Sequence, residues 1–127
     1  MSRPITEVLS VERVREAYRV TGLVPRASIF IEPICGQEAA EDSARGWCGC
    51  PASAVAIGMG VRPVDIDDSS SQVDLLAETF DLEPRLIRAF TEGVDRRDYA
   101  GFGSDEEVAY ALGRDVREAL GLGRVDQ

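Results

Sequence analysis

Residues 46–60, GWCGCPASAVAIGMG, run for fifteen positions without a charged side chain and with a single hydroxyl, Ser53. A helix that is apolar on every face cannot rest at a surface, so this stretch has to be wrapped by the remainder of the chain. Pro is favoured at the first helical position, where its missing N–H would have had no partner. Cys50 therefore reads as the cap and Pro51 as the first residue of a buried central helix continuing over 52–59. Small side chains allow close approach of neighbours, and Gly58 and Gly60 weaken the helix end.

The flanking sequence supplies the wrapping. Val11, Val14, Tyr18 and Thr21 recur at helical spacing among charged residues, with Ser10 or Thr6 placed to cap the helix and Gly22 and Pro25 to end it. RASIFIEPI is β-branched and aromatic over a short run and reads as a strand ended by Pro33. If GWC returns beside it, the two form a small antiparallel ribbon joined by the polar stretch GQEAAEDSARG. Beyond RPVDIDD, serines 69–71 offer caps to a helix carrying Val73, Leu76, Ala77 and Phe80. After a short turn at 81–83, Pro84 opens another, with Leu86, Ile87, Phe90 and Val94 as its apolar set and Gly93 near its end. Ser104 and Glu107 match a capping box that opens a last helix through Val108, Leu112, Val116 and Leu120, ended by Gly121. The expected fold is mainly α (α+β): one compact domain over 1–127 with four to five helices and a two-stranded antiparallel ribbon. Its length of 127 residues and 44% hydrophobic content suit one core. With no run long enough to span a bilayer and no secretory leader pattern, the sequence reads as soluble and cytoplasmic.

Residue types that are missing narrow the chemistry. The chain has no His, and all 14 of its basic residues are Arg. Imidazole acid–base catalysis, Ser–His and Cys–His nucleophiles, Schiff-base lysines and phosphate-loop lysines are thereby absent. Arg stays charged and cannot serve as a base. The expectation is a protein that is not an enzyme.

Cys35, Cys48 and Cys50 are the candidate metal ligands, for zinc or an iron–sulfur cluster. With no histidine, the fourth ligand would have to be a carboxylate, a water or a cysteine of a second chain. Burial as small hydrophobes is the competing use, and the favoured expectation is no cofactor. VDIDDSSS has the alternation of a calcium loop at Asp65, Asp67 and Ser69. However, Ser70 replaces the turn glycine and Leu76 the terminal carboxylate, and helix capping accounts for these residues.

Within residues 76–93, LAETFDLEPRLIRAFTEG, the segment resembles the helix-turn-helix of lambda-repressor-type DNA-binding proteins. Leu76, Ala77, Leu82, Pro84, Ile87 and Gly93 occupy matching places. Asp81 stands where the family usually has glycine, and Glu83 precedes the would-be recognition helix. The resemblance implies Arg85 and Arg88 as nucleic-acid contacts. A formal net charge of −9 opposes binding to phosphate backbones. It favours instead a partner with a basic surface. Trp47, Arg96, Arg97, Tyr99 and Phe102 are the candidate partner-binding residues, being of types enriched at interfaces. The leading functional expectation is thus a small acidic, non-enzymatic protein-binding module, acting as an adaptor, inhibitor or regulator. A metal protein and a DNA-binding regulator are the alternatives.

Overall fold

A computed structural model describes residues 3–95 and 103–122. Among these lie seven helices and three short strands: α1 (Ile5–Val8), α2 (Val11–Thr21), β1 (Val24–Pro25), β2 (Ile31–Pro33), β3 (Trp47–Gly49), α3 (Pro51–Gly58), α4 (Pro63–Asp67), α5 (Gln72–Phe80), α6 (Pro84–Asp95) and α7 (Ser104–Leu120). The protein is mainly helical with a small mixed sheet. No described helix is long and apolar enough to cross a membrane.

Residues 46–56 of the uncharged run form the buried element anticipated, whereas Gly58, Met59 and Gly60 at its end are exposed. Cys50 takes the cap position of α3 with extended backbone and Pro51 is its first residue; residues 51–56 are all buried. α2 packs along α3. The Tyr18 hydroxyl on α2 donates to the Gly49 carbonyl (2.8 Å), fastening that helix to the strand leading into α3. Ser10 accepts from the Arg13 N–H (3.2 Å) at the start of α2, and Gly22 closes it in the left-handed conformation.

The sheet departs from the expected two-stranded ribbon. β2 and β3 do pair antiparallel, Glu32 opposite Cys48, but β1 joins the other edge of β3 in parallel, in the order β1-β3-β2. With α2 closed at Gly22, Val24 and Pro25 lie extended along β3, and the Arg26 N–H bonds the Gly49 carbonyl (3.0 Å). Two short helices, α1 and α4, were also not anticipated, since neither is long enough to show a periodic apolar face.

α6 and α7 make the most extensive helix–helix packing in the fold. Gly93 lies near the end of α6, as anticipated. A Cβ there would fall against the Tyr110 carbonyl oxygen, and one on Gly113 of α7 against the Phe90 carbonyl oxygen, so the paired glycines allow the backbones to touch. The α7 capping box is displaced: Gly103 takes the cap position without a side-chain bond, and Ser104 is already helical.

Gly93→Ala or Gly113→Ala is expected to destabilise the fold by about 2 kcal/mol or more, because neither backbone can yield to the added carbon. Gly58→Ala, where the new carbon would meet only Ala17 and Thr21 side-chain atoms at 3.9 Å, should be neutral or stabilising. Urea unfolding of the three variants measures the contrast; equal midpoints would contradict the close crossing.

Candidate functional site

The α5–α6 hairpin is built by local rules. Ser71 caps α5 by accepting from the Asp74 N–H (3.3 Å), and Leu76, Ala77 and Phe80 bury its inner face. α5 ends at Asp81, whose backbone is left-handed (φ 55°, ψ 46°). This is the position where the helix-turn-helix resemblance calls for glycine. Asp is among the few other residue types that tolerate the conformation, so the departure in sequence leaves the turn intact. The Leu82 N–H bonds back to the Ala77 carbonyl (2.9 Å), the Leu86 N–H bonds to the Glu83 carbonyl (2.9 Å), and Pro84 begins α6. Ile87 is fully buried beneath the hairpin.

Around this turn α1, α6 and the start of α7 enclose a cleft of about 470 Å³. Leu82, Leu86 and Val108 give it an apolar lining, while Asp81, Glu83 and Asp105 supply carboxylates against a single lining guanidinium, Arg3. Arg85 sits beside it, bonded to Glu83, to Glu106 (3.2 Å) and, at 3.7 Å, to Asp105. The Glu83 hydrogen bond foremost, and that to Glu106, push the Arg85 pKa up and fix it as a cation. With Glu106 and Arg85 included, carboxylates around the cleft outnumber guanidiniums by two. Arg88 projects from an exposed position on α6. The two arginines that the resemblance would turn toward DNA are thus in different surroundings, one held by three carboxylates.

The three thiols do not gather. Cys48 pairs in register with Glu32 and lies against its carbonyl (3.6 Å), and Cys50 stands level with Phe30 at the head of α3. Cys35 lies past the far end of β2, exposed in the connection to β3. Neighbouring residues along a strand are about 3.3 Å apart, so this register keeps Cys35 away from Cys50. Among the described residues no group of three or more Cys, Asp or Glu side chains comes together to hold a metal ion. Asp65 is in helix α4 and bonds Arg62 (3.1 Å). The Trp47 ring is only 4% exposed, and its Nε1 donates to the Ala40 carbonyl (2.6 Å); it covers the core beneath the β2–β3 connection. Arg96, Arg97, Tyr99 and Phe102 lie outside the described residues.

The cleft was not among the sites anticipated. Asp81 and Glu83 were visible as departures from the helix-turn-helix pattern, but Asp105, Glu106 and Val108 join them only because α7 folds back on α6. Compared with known proteins, the chain matches no protein-family model, no curated protein and no solved structure.

Burial raises the Cys50 pKa above its ordinary 9.0, and burial, then the nearby Cys50, raises that of Tyr18 far above its ordinary 10.0. Both groups ionise more readily in the unfolded chain. Their contribution to stability is therefore complete below about pH 9 and is lost as the pH rises further. The urea midpoint should be level from about pH 7 to about pH 8.5 and fall toward about pH 11; a level midpoint throughout would contradict the burial of these groups. In the native protein, a thiol-labelling reagent should modify Cys35 at once and Cys48 and Cys50 only on unfolding. Rapid labelling of all three would contradict it.

Proposed function

We propose that the chain is a protein-binding module whose cleft at the α5–α6 turn takes a basic, apolar-tipped segment of a partner, in the manner of an adaptor, inhibitor or regulator and not of a catalyst. The observation that carries this reading is the apolar floor of Leu82, Leu86 and Val108 rimmed by Asp81, Glu83 and Asp105. A partner's leucine or similar side chain would be desolvated on that floor, while its arginines or lysines meet the carboxylates. Such an arrangement gives both affinity and orientation. The overall charge of −9 draws a basic segment in, and the absence of imidazole and amine side chains is in keeping with binding without chemistry.

The helix-turn-helix resemblance accounts for the backbone of the turn, but the electrostatics favour a cationic ligand. A DNA contact from Arg85 would require exchanging three carboxylate neighbours for phosphate, in a field of the same sign as the phosphate.

Two variants separate these readings. With an arginine-rich peptide bearing one leucine, Glu83→Gln/Asp105→Asn should weaken binding about tenfold or more at low salt. Arg85→Ala should tighten it about fivefold, since removing a cation about 4 Å from the carboxylates is worth about 1 kcal/mol. Fluorescence anisotropy with the peptide and with duplex DNA checks both. Peptide affinity indifferent to the carboxylates, or DNA binding that Arg85→Ala abolishes, would contradict the proposal.

A further inference from the structure

Resting on the cleft reading above, we infer that the cleft offers a partner one position for a cation, at Asp81, and that Arg85 occupies the other carboxylates from within. The favoured partner segment then carries a single basic residue close to its apolar anchor, and not a run of them.

The carboxylates around the cleft are not equivalent. Glu83 and Glu106 accept hydrogen bonds from Arg85, the latter at 3.2 Å, and Asp105 pairs with it at 3.7 Å. Arg3, the guanidinium in the cleft lining, pairs with Glu7 (3.8 Å). Among the described residues no cation or hydrogen-bond donor meets the Asp81 carboxylate, although Asp81 lines the same cleft. Lone pairs engaged by Arg85 have to be surrendered before an incoming guanidinium can use them, and the charge of Arg85 itself opposes the newcomer. Neither obstacle stands at Asp81.

The backbone also holds Asp81 in place. It stands at the left-handed close of α5, with its N–H on the Glu78 carbonyl (3.2 Å) and the next N–H, of Leu82, on the Ala77 carbonyl (2.9 Å). A short side chain on a fixed backbone gives up little freedom when it pairs. Leu82, the following residue, belongs to the apolar lining. Adjacent residues thus supply the carboxylate and part of the apolar surface, so the ligand's cation and its apolar side chain have to lie near one another as well.

The probes are peptides with one leucine and a single arginine about one to about four residues from it, their counterparts with citrulline, which is uncharged and of the same shape, and versions with a second arginine. Against the intact protein at about 0.15 M salt, the best single-arginine peptide should bind about fivefold more tightly than its citrulline counterpart, the upper end for an exposed ion pair. Asp81→Asn keeps a residue type that tolerates the left-handed turn, so the urea midpoint should hold while that gain is lost; Asp81→Gly, equally at home there, is the second variant. Glu83→Gln removes the same formal charge and should leave most of the gain. The second arginine should add less than about twofold in the intact protein and about fivefold in Arg85→Ala, which releases the carboxylates that Arg85 holds. Four results would overturn this assignment while leaving the cleft reading in place: no single arginine gains over citrulline, the gain survives both Asp81 variants, Glu83→Gln abolishes it equally, or the second arginine adds the same with and without Arg85. Failure of a leucine-bearing arginine-rich peptide to bind at all would overturn the cleft reading, and this assignment with it.

Discussion

The burial of α3 is the constraint from which the rest of the fold follows. Its six leading residues expose almost nothing and include one hydroxyl, Ser53, which lies 3.5 Å from the Cys50 sulfur. A helix with no polar face must be covered on all sides, and side chains as small as Ala52, Ala54 and Ala56 bring those covers close. α2 lies along it, tied through Tyr18 to Gly49; α5 and α4 close other sides, and β3 leads into its first turn. The direction in which β3 delivers the chain to α3 therefore sets where α2 and α5 lie.

From α5 the consequence passes to the cleft. The left-handed turn at Asp81 reverses the chain into α6, and the Gly93–Gly113 crossing draws α7 against α6 closely enough for Asp105 and Glu106 to reach Arg85. Carboxylates distant in sequence are thereby collected at one end of a helical hairpin. At a nucleic-acid-binding hairpin that end would be expected to be cationic. Here the hairpin presents a negative rim around an apolar lining, and on the proposed reading the sign of that surface favours a cationic ligand.

Much of the architecture was legible because it obeys local rules. Ser10, Ser71, Pro51, Pro84, Gly22 and Gly121 mark helix boundaries where capping chemistry places them. The cores of α2, α5 and α6 follow their apolar spacing. What escaped the sequence depends on residues far apart. Pairing of Val24 and Pro25 with β3 leaves no pattern in two residues, and nothing local to Gly93 shows that α7 is laid across it. The candidate site divides in the same way: Asp81 and Glu83 stood out as anomalies of a motif, whereas Asp105 carried no signal of its own. The interface residue types at 96–102 gave no hint of a cleft floored by Leu82, Leu86 and Val108.

The account depends on the floor and rim of that cleft acting together on a cationic ligand. A methyl-resolved NMR titration of the intact protein with a leucine-bearing arginine-rich peptide tests this most directly. Saturable shifts centred on the methyls of Leu82, Leu86 and Val108 are the expected result. Shifts confined to surfaces away from these methyls, or none at concentrations where anisotropy reports binding, would contradict it.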